Sequence, residues 1–408
     1  VTKLLLISLL ALVSCTGSRN GPTGGGKPEW FPDPTVAIHV SELTVTVNVW
    51  VRLRESDVLF QRTDRLEEFK AGLQVHASVL TADRKPVLVD STSVSVQPQR
   101  SSSGDGYIIL PVALQEPAKG RYKLRLTITD FNRHESRSFS YVLNTLPESH
   151  QRLVFLDATT FEPVFDQAQP GQEIMVEGCS GSTTCYIGEI PADYSYPSPP
   201  FSDKPHRVKQ PWNFRPYSGE LMQFRDSVIY LACRDTASRQ GSVFVHLTPT
   251  YPLASTGKAL ISPLRYLTSQ QEFETLSKHP DPETAAREFW QKMAGTEDSD
   301  RAKRTQLVFT RRVEEANRRF GGTREGFLTD RGMMYLILGE PNRISRRDDR
   351  EIWVYGEDRT SFMTVLTFDR VHSPPLSPDY ILKRGPLLKP LWYRAVDTWR
   401  SGHPFVYF

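Results

Sequence analysis

The sequence predicts a multi-domain, mainly β protein: two antiparallel β-sandwich modules of immunoglobulin-like type, followed by an α+β module. Three observations predict it. Short apolar runs recur from Asp33 to about Pro252, separated by turn-forming stretches such as SSSGDG and EPAKG, the pattern of a sandwich. From about Leu264 the apolar residues take up helical spacing instead. Proline makes up 30 of 408 residues, above the usual ~5 %, which suits β-rich domains with long connections.

The chain opens VTKLLLISLLALVSC. Lys3 precedes the apolar run Leu4–Val13, which falls within the roughly 7–15 residues of a signal-peptide core. It is shorter than the ~20 apolar residues that span a bilayer. Leu12-Val13-Ser14-Cys15 resembles the lipobox of bacterial lipoproteins. That resemblance implies removal of residues 1–14 as a signal peptide and attachment of lipid, with palmitate-type acyl chains, to Cys15. Residues 15–32 are rich in Gly, Ser and Pro and read as a flexible tether. Thr16 is not the Asp that resembles an inner-membrane retention signal, and no acidic cluster follows it. The analogy therefore places the chain on the periplasmic face of the outer membrane, with the membrane itself, through the lipid, as one partner.

The first sandwich is expected over residues 33–147. In SELTVTVNVWVRLR, Leu43, Val45, Val47, Val49, Val51 and Leu53 share one parity, the period-2 mark of a half-buried strand. LQVHASVL, STSVSVQ, YIILPVAL, YKLRLTITD and SFSYVLN supply further strands. The second sandwich, residues 148–255, reads its strands at RLVFLD, EIMVEG, CYIGEI, SVIYLAC and SVFVHLT. Its Pro- and aromatic-rich loop, residues 190–218, cannot be regular structure. The loop's Tyr194, Tyr196, Phe201, Trp212, Phe214 and Tyr217 either line a groove for sugar or peptide or strap the loop across its own domain.

Cys179 and Cys185 bracket SGSTT between two strand-like runs. At the ends of such a hairpin they would face each other near disulfide distance, in a compartment that permits the bond. Cys233 is then a buried free thiol; its pairing with one of the other two is the alternative. Three cysteines without a nearby His do not make a zinc site, and no cofactor is expected.

Residues 256–385 form the α+β module. Asp281 is an N-cap with Pro282 at N1, and Ala286, Phe289, Trp290 and Met293 share a face. Phe309, Val313, Ala316 and Phe320 make one stripe of a second helix that Gly321-Gly322 stops. Strands are expected at MMYLILG, EIWVYG and SFMTVLTFDR. In the tail, residues 386–408, one face of a short helix holds Leu391, Trp392, Val396 and Trp399, docked on the chain or on a partner.

Arg324 to Asn342 read REGFLTDRGMMYLILGEPN. This is similar to the motif of GWxTD domain proteins, a lipoprotein family of Bacteroidetes-type bacteria. Gly326, Thr329, Asp330, Arg331, Gly332, Gly339, Glu340 and Pro341 match, and Phe327 stands where the motif has Trp. The resemblance covers roughly Leu264 to Arg370 and implies a place in the envelope but no reaction. Physically, Gly326 and Gly332 suit positive φ around a turn. Asp330 and Thr329 suit hydrogen bonds from backbone N–H groups two residues on. Phe327 suits a buried plug, and Pro341 fixes the exit from a strand ending at Leu338. On that reading the motif is a structural joint; the other reading makes Asp330 and Glu340 an acid pair.

The nine His are scattered, and no zinc helix, nucleophile elbow or phosphate loop is present. The expectation is a non-catalytic protein that binds other envelope proteins. The alternative is a carbohydrate- or peptidoglycan-directed binding protein or enzyme using the aromatic loop. A net charge of +3, with acids interleaving the Arg-rich stretch 301–350, argues against nucleic acid. The anchor has a direct check: Cys15→Ala should abolish palmitate incorporation and move the protein to the soluble fraction, and unchanged labelling would refute the lipid anchor.

Overall fold

Alternation of apolar and polar residues builds the first domain. The computed structural model describes residue 32 and residues 34–407, apart from 42–43, 64–67, 102–105, 166–167, 169–170, 180–183, 203–210, 223, 239, 249, 296–298, 323, 348, 357–362 and 374–375. The signal segment, Cys15 and almost all of the tether thus lie outside the described residues. Strands β1 (Thr35–Ser41), β2 (Thr46–Arg54) and β7 (Tyr107–Gln115) form one antiparallel sheet, in the order β1-β2-β7. Strands β5 (Leu73–Thr81), β6 (Leu88–Val96), β8 (Arg121–Asp130) and β9 (Glu135–Asn144) form the other, in the order β6-β5-β8-β9. The short pair β3 (Gln61–Arg62) and β4 (Phe69–Lys70) lies between β2 and β5 in sequence. Val47, Val49, Val51 and Leu53 of one sheet, and Leu73, Val75, Leu124 and Leu126 of the other, are fully buried.

One expected strand starts later than its pattern. Val45 keeps the parity of its neighbours but is exposed, with φ 52°. It belongs to the turn that joins β1 to β2, whose register closes at Ser41 opposite Thr46. The apolar alternation runs across this turn, so period alone could not place the reversal.

The second domain has two layers. Strands β10 (Val154–Asp157) and β11 (Ile174–Glu177) pair on one side. On the other side lie β12 (Cys185–Pro191), β13 (Asn213–Tyr217), β14 (Val228–Cys233) and β15 (Gly241–His246), in the order β13-β12-β14-β15. Phe155, Ile174 and Val176 pack with Ile187, Tyr230 and Phe244 between them. Arg152, nearly buried, joins this domain to the first: it pairs with Glu116 at 2.6 Å and donates to the Thr145 carbonyl at 2.6 Å.

Cys179 and Cys185 are joined, with Cα atoms 5.7 Å apart. The pairing matches expectation, but the expected hairpin does not. Cys179 follows β11, which pairs with β10, whereas Cys185 opens β12, which pairs with β13 and β14. The bond therefore staples a crossover between the two layers. Cys233 is free and buried.

The third domain begins with helices α1 (Lys258–Ile261), α2 (Gln270–Ser277), α3 (Pro282–Ala294) and α4 (Ser299–Phe320). Asp281 caps α3 by accepting from Glu283 N–H and Thr284 N–H, as its sequence position predicts. Ser269 and Glu272 form a capping box on α2. The stripe Phe309, Val313, Ala316 and Phe320 is buried in the common core.

The segment expected as the strand MMYLILG is helix α5 (Asp330–Leu338). Met333 to Leu338 are all buried, and an unbroken apolar run carries no period that separates a buried strand from a buried helix. Strands β16 (Arg343–Arg346), β17 (Arg350–Tyr355), β18 (Thr364–Ser373) and β19 (Leu376–Leu382) follow as an antiparallel meander. Helix α6 (Leu388–Arg400) then docks back on the chain. Its Trp399 is fully buried and donates its indole N–H to the Ile337 carbonyl at 3.0 Å.

The cysteines yield a test. Mass mapping without reduction should find one disulfide, Cys179–Cys185, and Cys233 as thiol. Burial pushes the Cys233 thiol up to about 11, so alkylation of the folded protein at pH 8 should be slow there and become fast only on unfolding. Removing the disulfide should cost about 2 kcal/mol, because the closed loop is short.

Candidate functional site

The motif residues Gly326 to Pro341 run from the end of α4, through a single 3-10 turn at Gly326–Leu328, along α5 and into β16. The turn lies directly on the last part of α4. A Cβ on Gly326 would drive into the Ala316 carbonyl oxygen and the Asn317 Cα, and one on Gly332 would drive into the Gly326 carbonyl oxygen. Neither glycine is among the residues with positive φ. Both are needed for close approach of backbones, not for the left-handed turn expected from sequence.

Phe327 is only 2 % exposed. Its backbone N–H donates to Asn317 Oδ1 at 3.2 Å, and its carbonyl accepts from the Tyr266 hydroxyl at 2.7 Å. The main chain on either side of the ring is therefore bonded to two different helical segments. Thr329 is the N-cap of α5: its hydroxyl accepts from Gly332 N–H at 3.0 Å and donates to the Gly326 carbonyl at 2.7 Å. That cap is the local signal that makes the following apolar run a helix.

Asp330 was expected to bond backbone groups two residues on. Thr329 takes that role, and the Asp330 carboxylate turns to the sheet instead. It accepts from Leu382 N–H, the last residue of β19, at 2.8 Å. It also receives both terminal nitrogens of Arg384, at 2.9 and 2.5 Å. Both side chains are 8 % exposed, and the carboxylate sits at the positive end of α5. Arg384 donates in addition to the Ser198 carbonyl at 3.2 Å.

Arg331 lies over the Tyr380 ring at 4.0 Å and pairs with Glu351 at 3.4 Å. Glu351 is fully buried, and also accepts from Arg346 Nε at 2.9 Å and Trp353 Nε1 at 2.5 Å. Gly339 ends α5 with φ 88°, and its carbonyl accepts from the Tyr355 hydroxyl at 2.9 Å. Pro341 is buried after it. It follows a helix, not the strand expected to end at Leu338. Glu340 is exposed and pairs with Arg319 at 2.9 Å. Asp330 and Glu340 stand at opposite ends of α5, roughly 14 Å apart along its axis. The structure therefore does not bring the suspected acid pair together.

The six loop aromatics do not form one groove. Trp212 and Phe214 stack on each other at 6.1 Å against Gly188. Tyr217 is buried in its own domain, donating to the Glu220 carbonyl at 2.8 Å. Tyr194 is exposed and bonds Ser227 at 2.8 Å. Tyr196 and Phe201 instead pack on the third domain. The Tyr196 ring meets Tyr266, Phe273 and Phe327 at 5.8, 5.9 and 6.4 Å. Burial pushes its hydroxyl up to about 12. The loop is thus divided: Tyr194, Trp212, Phe214 and Tyr217 stay on their own domain, and Tyr196 and Phe201 cross to the third.

Arg384, Asn317, Tyr266 and Glu351 complete the motif's bonding, and none carries a sequence signal, since each reaches it from a distant element. Glu325, just before the motif, is one of the acids that interleave the Arg-rich stretch. It makes no capping bond to the turn it precedes, and burial raises its carboxyl to about 7. Among the described residues no group of His, Cys, Asp or Glu is placed to hold a metal ion.

Residues 228–401 match the family model of the GWxTD domain. The chain carries a GWxTD domain. No curated protein matches the chain. The match begins at β14 of the second domain and ends just past α6, so it extends well beyond the motif on both sides. The resemblance visible in the sequence covers only Leu264 to Arg370 of this span. The wider span agrees with the packing: Tyr251, in the connection after β15, donates to the Asn317 carbonyl at 2.5 Å, and α6 closes the domain core.

Substitutions at three positions test the motif as a joint of the GWxTD domain. Phe327→Ala should destabilise by about 3–5 kcal/mol, as large-to-small core changes do. Gly332→Ala should cost about 3 kcal/mol, the upper end for overpacking, because the added methyl meets backbone. Asp330→Ala should cost about 3–5 kcal/mol by leaving Arg384 buried and unpaired, and Asp330→Asn less, since an oxygen remains for Leu382 N–H. Thermal and denaturant melts read all of these, and melts unchanged from the parent would exclude the joint.

Glu325 yields a pH test. Its folded pKa is raised, so the folded state prefers the protonated form. The contribution of Glu325 to stability should be fully present below about pH 4.5 and be lost as pH rises through about 7. Glu325→Gln should therefore raise the melting temperature at pH 8 and leave it unchanged at pH 4.

Proposed function

We propose that the chain is a non-catalytic lipoprotein, anchored to the outer membrane through Cys15, that works by binding other envelope proteins in assembly, secretion or transport. The observation that carries the reading is the state of the GWxTD motif. Its polar side chains other than Glu340 are turned inward, and each is engaged by protein groups. Asp330 is occupied by Arg384 and Leu382 N–H, Thr329 by the α5 cap, and Arg331 by Glu351 and two rings. A general acid or base needs to reach the proton it transfers, and these groups are committed to the fold.

The anchor reading draws on Leu12–Cys15 and the tether after it. Protein binding suits a chain of β modules on a leash that ends in a rigid α+β domain, and folded modules in series present wide surfaces without a reactive centre. The glycan alternative loses its support, since the loop aromatics are divided between two domains and do not form a groove.

Crosslinking in cells followed by mass spectrometry tests the proposal, with discrete envelope proteins expected above an untagged control. The Asp330→Asn chain separates binding from chemistry. If the motif is a joint, cellular function should track the variant's melting temperature. Loss of function with a parental melt would overturn the non-catalytic reading.

A further inference from the structure

Residues 193–202, DYSYPSPPFS, cross the GWxTD domain without regular secondary structure. Pro197, Pro199 and Pro200 restrict its backbone and remove donors, and a turn closes its end, with Ser202 N–H donating to the Pro199 carbonyl at 3.0 Å. Two rings anchor it. Tyr196 sits among Tyr266, Phe273 and Phe327, and its hydroxyl donates to the Ser262 carbonyl at 2.9 Å. Phe201 stacks on Tyr393 of α6 at 5.6 Å, with the Lys389 ammonium 5.9 Å from its centre. Between the rings, alternate carbonyls are clamped. Ser198 accepts from Arg384 at 3.2 Å and Pro200 from Gly385 N–H at 3.1 Å.

We propose that this face of the GWxTD domain is a recognition groove for proline- and aromatic-rich peptide segments, held in cis by residues 193–202. The proposal deepens the protein-binding reading and rests on it. Aromatic slots for side chains and donors aimed at alternate carbonyls are the general means of reading an extended proline-rich ligand. The strap gives the groove two rings, the Tyr196 hydroxyl, two carbonyls and the Asp193 carboxylate, which pairs with Arg324 at 3.4 Å, and a partner's segment can supply groups of the same kinds. The motif itself builds the groove: Phe327 floors the Tyr196 slot, and Asp330 holds Arg384 at the clamp. A tethered strap competes at an effective concentration on the order of millimolar, so the resting chain keeps the groove closed to weak ligands. A partner with a segment of the same chemistry and tighter fit displaces it.

The test uses the full chain and a fluorescent synthetic peptide of sequence ADYSYPSPPFS. The Tyr196→Ala/Phe201→Ala chain, with its strap released, should bind this peptide at least tenfold more tightly than the parent chain does. A peptide with the rings equivalent to Tyr196 and Phe201 replaced by Ala should not bind, and adding Tyr393→Ala to the released chain should remove most of the gain. If the released chain melts as cooperatively as the parent yet binds the peptide no better than the doubly substituted control, the groove is refuted. If the double variant does not fold, Phe201→Ala alone carries the test: a several-fold gain supports the groove, and none refutes it. A null here with envelope partners still captured by crosslinking sinks the groove and not the wider reading.

Discussion

The pair formed by Asp330 and Arg384 is the constraint on which the third domain turns. One carboxylate, at the start of α5, receives a guanidinium and the backbone N–H that ends β19. The same guanidinium reaches the Ser198 carbonyl on the strap. Helix, meander and strap are thus tied at one point. Both side chains are nearly buried, where an ion pair is costly to assemble and more costly to break. Such a pair adds little net stability over an apolar one, but it fixes which groups meet, because a charge misplaced by one register would be left without a partner.

The glycines allow that point to exist. Gly326 lets the 3-10 turn rest against the Ala316 carbonyl, and Gly332 lets α5 start directly beneath the turn. Thr329 bonds both, capping α5 and holding the Gly326 carbonyl. With Thr329 spent on the cap, Asp330 is free to face away from its own helix. Gly, Thr and Asp at this spacing therefore do three separate jobs, namely close approach, capping and cross-element pairing.

The sequence made most elements legible where a period or a cap was present. The alternating valines of β2, the stripe of α4, the Asp281 cap and the EPAKG turn are local signals, and the structure follows them, while most of SSSGDG lies outside the described residues. Failure came where the signal was absent or ran on. Val45 continues an alternation through a turn, and Met333 to Leu338 carry no period at all. The site was harder for another reason. Thr329 and Asp330 are visible as a motif, but Leu382, Arg384, Tyr266 and Ser198 approach them from other parts of the chain. The hairpin assigned to Cys179 and Cys185 failed in the same way. The pairing followed from proximity in sequence, while the sheet membership of the two strands depends on distant partners.

The phenylalanine at the motif's aromatic position bears on what that position does. An indole would bring an N–H needing a partner when buried, as Trp353 finds in Glu351 and Trp399 in the Ile337 carbonyl. At Phe327 the polar bonds of the site are made by the main chain, through Asn317 and Tyr266, so the ring contributes shape alone. Its edge is shared with Tyr196 of the strap. The residue at the heart of the motif is thus also the floor on which the strap rests. Any change in its size acts on the joint below and the strap above at once.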